Sequence, residues 1–296
     1  MRKKRRRNNN ERPLARRGWW SSAVHLPWRR TALVGGIVAS VVVLLSGGWV
    51  AMGRLESQVD ELLLRDRPDP IVEFVDLPIE LVTLANYDLH SSLFDLLGRE
   101  WTDDRLCAEM AARIAGNGWV SRVNFVRRTG GGRFEISCRY RIPAALVQQG
   151  DKFYLVDSEA VRLPGVYVAH PAWRLIDGVA KPAPQAGALW EGDDVRAALA
   201  VLSAVKDEPF GRQIVSVAVA NFGARRDPRA CHIELMTDQA GGRIRWGSAL
   251  GSELEENGVQ EKLALLRENY SKTGRVDARH AVIDISTFPD RFTIPG

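Results

Sequence analysis

The sequence predicts a single-pass membrane protein with an α+β extracytoplasmic part, in which a strand-helix-helix-strand-strand unit precedes a mixed β-rich domain with helices. Three observations lead there: one long uncharged stretch, a strong charge asymmetry around it, and a downstream alternation of period-2 and period-3.6 hydrophobic patterns. A chain of 296 residues, 45% hydrophobic and 26% charged, is too long for a disulfide-stapled miniature and too apolar for a wholly disordered protein.

The stretch Thr31 to Met52 holds 22 residues without a charge, with Trp28 before it and Trp49 near its far end. As a helix it would reach about 33 Å, enough for a hydrocarbon core of about 30 Å. Residues 1–30 carry eleven basic residues against the single acid Glu11, a net +10, while the other 266 residues carry 30 basic against 35 acidic ones. Beyond the span, Arg54, Arg65 and Arg67 face five acids. The positive-inside bias thus predicts a type II topology in the cytoplasmic (inner) membrane, N-terminus in the cytoplasm and the rest across it. A cleaved signal peptide is the rival reading, although its apolar core would normally be shorter. The basic tail beside a span suits contact with anionic membrane lipids, and the net −5 of the remainder argues against a nucleic-acid partner.

The expected organisation is a basic tail (1–30), a transmembrane helix (31–52), a stalk (53–70), a first folded domain (71–143) and a β-rich domain (144–296). In the stalk Leu55, Val59, Leu62 and Leu63 recur at helical spacing until RDRPDP stops them. IVEFVDL reads as a strand. LHSSLFDLLGRE reads as a short helix presenting Leu93, Phe94 and Leu97, and TDDRLCAEMAARIAG as a stronger one, with Thr102 as a cap and Leu106, Met110 and Ile114 spaced by four. Trp119 to Arg127 and Arg133 to Arg141 are strands around the glycine turn of RTGGG. Ala145 to Val147, Phe153 to Val156 and Ala160 to Leu163 continue a sheet, and the proline-rich 164–189 region reads as loops with an edge strand. A helix over Asp193 to Lys206 follows, then strands at 213–222, 230–237 and 243–247, a helix from Val259 through Tyr270, and a last strand in HAVIDIST.

No arrangement of side chains selects a reaction, so no catalytic, cofactor-binding or metal site, no cofactor and no small-molecule substrate is expected, and the chain reads as a non-enzyme. Asp103 and Asp104, like Asp193 and Asp194, read as first-turn helix acids. Asp157 and Ser158 with His170 or His232 lack a GxSxG elbow, and RTGGGR lacks the GK[ST] ending of a phosphate loop. Arg127, Arg128, Arg225 and Arg226 read as solvated hairpin and loop residues, and Trp119, Trp173, Trp190 and Trp246 as core. Three cysteines, Cys107, Cys138 and Cys231, leave open a Cys107 to Cys138 pair or three thiols.

Gly118-Trp119-Val120 through Arg127-Arg128 resembles the FtsQ/DivIB family of bacterial cell-division proteins, in which proline-tryptophan-valine precedes the second strand of a POTRA domain and a basic residue stands near its end; here Gly118 replaces the proline. Tyr140-Arg141-Ile142-Pro143-Ala144-Ala145 is similar to the family's exit from that domain, FYLVDSEAVRL to its passage into the β domain, and Gly274-Arg275-Val276-Asp277 before HAVIDIS to its approach to the last strands. The resemblance implies a POTRA domain over 71–143 and an FtsQ-like β domain over 144–296, with Trp119, Val120, Arg141 and Pro143 as structural residues. It also implies a non-catalytic divisome assembly and scaffold role at the septum, with partners resembling FtsB and FtsL. The alternative is another envelope POTRA adaptor, in secretion or outer-membrane biogenesis. The partner surface is expected near the final strand, on Tyr270, Val282, Ile283, Asp284, Ile285 and Ser286.

Overall fold

The computed structural model describes residues 70–100 and 102–286, all within one compact unit. The basic tail, the apolar stretch Thr31 to Met52 and all but the last residue of the stalk lie outside the described residues. Among the described residues no helix is long and apolar enough to cross a membrane. The longest has 15 residues and would reach about 22 Å, short of a hydrocarbon core of about 30 Å. The expectation of a single-pass membrane protein, and with it a type II inner-membrane localisation, is corrected accordingly: the architecture supported is a mixed α/β one with no membrane-spanning helix among its described residues.

The first layer is a three-stranded sheet in the order β1-β3-β2, built from β1 (Ile71–Phe74), β2 (Val120–Gly130) and β3 (Arg133–Tyr140). β1 runs parallel to β3, and β2 antiparallel to it. Gly131 and Gly132 form the two-residue turn of the hairpin, both at positive φ (57° and 74°), where a side chain would be strained. Helices α1 (Ile79–Ser91), α2 (Phe94–Leu97) and α3 (Leu106–Ala115) connect β1 to β2. α3 buries Leu106, Met110 and Ile114, as the spacing of four requires. Its start differs from expectation: the helix begins after Arg105 without a side-chain cap, and Asp103 instead accepts the Arg105 amide at 2.9 Å ahead of it.

α1 was not legible as a helix. It opens after Pro78 and buries only Leu81, Ala85 and Leu89, while Ile79 and Tyr87 stay exposed, so its apolar stripe is narrow and blurred. In α2 the buried residue is Leu96, with Leu93 buried just ahead of the helix; Phe94, expected inside, is exposed.

The second layer is a seven-stranded mixed sheet in the order β10-β9-β8-β7-β6-β4-β5, comprising β4 (Pro143–Gln149), β5 (Lys152–Asp157), β6 (Leu175–Asp177), β7 (Ile214–Ala218), β8 (Ile233–Thr237), β9 (Arg243–Gly247) and β10 (Val282–Asp284). β6 is a central strand rather than an edge, paired in parallel to β4 and β7. At three residues it is too short to carry a periodic signal, and the prolines around it lie in its flanking loops. Ala160 to Leu163 makes only isolated bridges, through Val161 and Arg162.

The register of this sheet lines up Val147, Ile176, Val217, Leu235, Ile244 and Ile283 across six strands, every one of them fully buried. Helices α4 (Asp194–Val205) and α5 (Val259–Thr273) contribute Val195, Leu199, Leu202, Leu263 and Leu266 to the same core. The neighbouring row, Leu146, Leu175, Ser216, Met236, Arg243 and Val282, occupies the opposite face, apolar at β4 and β6 and mixed in polarity from β7 onwards. At its apolar end Leu146 and Leu155 join the core of the first sheet, around Phe134 and Trp119. The two layers therefore share packing where β3 passes into β4.

Candidate strand-docking edge

β10 ends the seven-stranded sheet, and among the described residues its one strand partner is β9, which it meets in parallel. The Arg243 amide donates to the Ala281 carbonyl at 2.8 Å, and the Ile285 amide donates to the Arg245 carbonyl at 3.2 Å. In a ladder with a period of two, these bonds place the odd-numbered residues of β10 against β9 and turn the N–H and C=O groups of Val282 and Asp284 outward. The side chains obey the same period. Ile283 and Ile285 are fully buried in the core, while Val282 and Asp284 are half-buried on the opposite face.

Two polar devices hold this strand. At its end, Asn257 donates its backbone amide to the Ser286 carbonyl and its Nδ2 to the Ile285 carbonyl, each at 3.0 Å. Asn257 follows Glu256, whose carboxylate accepts from the Ser248 amide (2.9 Å), the Ser248 hydroxyl (3.0 Å) and the Lys262 ammonium (3.1 Å). Lys262 is fully buried, with Nζ 5.3 Å from the Trp246 ring centre. Asp284 Oδ1 additionally accepts the Ser286 amide and hydroxyl.

At the approach to β10, α5 stops where Gly274 takes the left-handed conformation (φ 69°) and its amide closes onto the Tyr270 carbonyl. Asp277, with no solvent exposure, then organises the connection. Its carboxylate accepts from the Thr237 hydroxyl (2.8 Å), Arg275 Nη2 (2.7 Å) and the Arg279 amide (3.0 Å), and it holds Ala278 and Arg279 at positive φ. Burial pushes the Asp277 carboxyl up, but the bonds from Arg275, Thr237 and Arg279 outweigh it and keep it below its ordinary value. The same pairing, together with Asp238, raises the Arg275 guanidinium far above its usual range.

Of the residues expected at a partner surface, Val282, Ile283, Asp284, Ile285 and Ser286 are contiguous on this edge. Tyr270 stands apart on α5, its ring tilted against Phe210 at 6.4 Å. Trp119 is fully buried and donates Nε1–H to Asp88 Oδ2 at 3.2 Å; Val120 beside it is also buried. Arg141 pairs with Asp157 at 2.7 Å, whose other oxygen accepts the Glu159 and Val161 amides, so this buried acid pins the passage between the two sheets. Pro143, expected at the end of the first domain, opens β4 opposite Asp157, at a strand start where a missing amide costs little. At Gly118 an added Cβ would stand 2.9 Å from the Gly187 amide nitrogen and 3.0 Å from Pro164 Cγ, so the two backbones meet there.

Other sequence readings change with the structure. Asp194, in the first turn of α4 as expected, is buried and accepts from the guanidinium of the exposed loop residue Arg225 at 2.8 Å, a bond the sequence does not announce. All three cysteines are free, with Cys138 and Cys231 thiols pushed up to about 11 by burial. Among the described residues no group of three His, Cys, Asp or Glu side chains is placed to hold a metal ion. Glu256, Asn257 and Lys262 were missed as part of the edge: nothing in a charged residue within an amphipathic helix distinguishes a buried Lys262 from a solvated one. No protein-family model matches the chain, and no curated protein matches it.

Proposed function

We propose that the chain is a non-catalytic assembly and scaffold protein of the cell-division machinery, which recruits partners by accepting a strand on the outer edge of β10. The observation that carries this reading is the outward pair of backbone groups at Val282 and Asp284, on a strand whose inner face is locked by Ile283 and Ile285. An added strand would satisfy those groups, while the exposed sheet face beside them, with Val282 and Arg243, would select side chains. The division role rests on the resemblance of the motifs around Trp119, Arg141 and Asp277 to FtsQ and DivIB, which also makes proteins similar to FtsB and FtsL the expected partners. Tyr270, held on α5, is left outside the proposed surface.

The test is Val282→Pro against Val282→Ala in the full chain. Proline deletes an outward N–H and leaves the bonds to β9 in place. With native circular dichroism in both variants, surface plasmon resonance against a recombinant FtsB-like and FtsL-like pair should show proline at least about tenfold weaker, and alanine changed by less than about threefold. Full affinity in folded Val282→Pro would reject the edge.

A further inference from the structure

A break in strand pairing shapes the face of the seven-stranded sheet turned away from α4 and α5. Ile214 stands opposite Thr237 and Ser216 opposite Met236, so Val215 is an extra residue on β7, a bulge. A bulge re-aims a side chain out of the strict alternation of a strand, and Val215 and Ser216, although successive, both line one hollow of about 430 Å³. Leu146 and Leu175 continue its floor. Its size falls within the range of about 300–1,000 Å³ typical of ligand sites. The parts around the floor are fixed. Arg212 sits in the turn Gly211–Gln213 that leads into β7, and at Gly211 an added Cβ would lie 2.5 Å from the Val205 carbonyl oxygen, so the turn is pressed against the end of α4. Arg174 donates Nη2 to the Gly211 carbonyl at 3.1 Å, which brings a second guanidinium to the same turn.

The loop from Ala169 to Trp173 walls the hollow. Its His170 is spent on the loop itself: Nδ1 accepts the Ala172 amide at 3.2 Å and the carbonyl accepts the Trp173 amide at 3.1 Å. The Trp173 ring is set by the rings of His170 and Tyr167, at 5.8 and 6.5 Å. The charge of the rim is therefore that of Arg174 and Arg212. No carboxylate lines the hollow, and among the described residues neither arginine forms an ion pair and the Ser216 hydroxyl has no hydrogen-bond partner. We propose that the hollow binds a small amphiphilic carboxylate. The planar guanidiniums match its two oxygens, Ser216 supplies a further donor, and its apolar body lies on Leu146, Leu175 and Val215 beside the Trp173 indole. A phosphate fits less well, because no lining residue opens an α-helix, whose free amides are a ready seat for it. This site is separate from the β10 edge and does not depend on the division reading.

The probe is 4-phenylbutanoate, titrated calorimetrically into the full chain beside its neutral amide and beside acetate. The acid should bind at least about tenfold more tightly than the amide, which lacks the charge, and than acetate, which lacks the apolar body. Arg212→Gln and Val215→Asp, both at exposed positions, should each weaken it at least about tenfold with native circular dichroism retained. Val282→Pro should leave this binding unchanged, which separates the hollow from the edge. Equal binding of acid and amide, acetate bound as tightly as the acid, or unaltered affinity in folded Arg212→Gln and Val215→Asp would overturn the proposal. So would tighter binding, by more than about tenfold, of acetyl-glycyl-glycyl-phenylalanine, since the occupant would then be the carboxyl end of a peptide chain.

Discussion

Replacing Trp119 by alanine removes the largest fully buried side chain of the first layer together with its hydrogen bond to Asp88. A buried tryptophan withdraws roughly 200 Å² from water, which at about 25 cal/mol per Å² is about 5 kcal/mol. A compact unfolded state already hides part of that area and lowers the figure to about 3–4 kcal/mol, while the cavity left among Leu89, Met110 and Phe134 returns some of the difference. The expected loss is about 4 kcal/mol. For domains of about 150–250 residues this is a fall of about 8–16 °C in Tm. Trp119→Phe keeps a ring in the core, loses the Nε1–H bond, and should cost about 1–2 kcal/mol. Urea unfolding of the full chain by circular dichroism measures both, with an unchanged m-value showing that the transition is the same one. A midpoint for Trp119→Ala equal to the parent's would refute the burial argument and move Trp119 to a contact surface.

Asp277 has a folded pKa below its unfolded value of about 3.9, so its contribution is complete above that value and disappears as pH falls through the folded one. Asp277→Asn should therefore cost about 1–3 kcal/mol at pH 7 and flatten the decline in urea midpoint between pH 4 and more acid conditions; an unchanged acid slope would remove the assigned role. Gly118→Ala should destabilise by about 1–3 kcal/mol, because backbone at Gly187 blocks the new methyl. Gly98→Ala, with open space and φ −77°, should be neutral or slightly stabilising, and equal melting of the two would show that the Gly118 contact is not tight. Lys262→Met should cost about 3–5 kcal/mol by leaving Glu256 without its cation, and adding Glu256→Gln should recover most of it in a double-mutant cycle. Additive effects would mean the pair is not coupled.

The parts of the fold that were legible are those whose apolar spacing is both long and one-sided. Leu106, Met110 and Ile114 in α3, and Val195, Leu199, Leu202 and Val205 in α4, announce their helices because a spacing of three to four repeats over several turns. α1 failed on the same criterion, since Ile79, Val82 and Tyr87 sit on its exposed side and blur the stripe. β6 failed because three residues between proline-rich loops look like an edge, whereas its central place is imposed by pairing with β4 and β7, each more than 25 residues away in sequence. The final strand was readable from the alternation of Val282, Ile283, Asp284 and Ile285, and its inward and outward faces follow the period. What secures it was not: Asn257 reaches Ile285 across 28 positions, and Asp277 reaches Thr237 across 40, distances at which a single sequence carries no pairing signal. The expectation of a membrane span drew on hydropathy and charge outside the described residues, and the described helices give it no support.

Amide hydrogen exchange on the full chain would read the proposed addition of a strand to β10 at the backbone groups themselves. Without partner, the Val282 and Asp284 amides should exchange quickly, while those of Ile283 and Ile285 are protected by β9. With a saturating FtsB-like and FtsL-like pair, exchange at Val282 and Asp284 should slow at least about tenfold, with Ile283 little changed. Binding that leaves Val282 and Asp284 exchanging as fast as before, with protection appearing only on β1 to β3, would contradict the account.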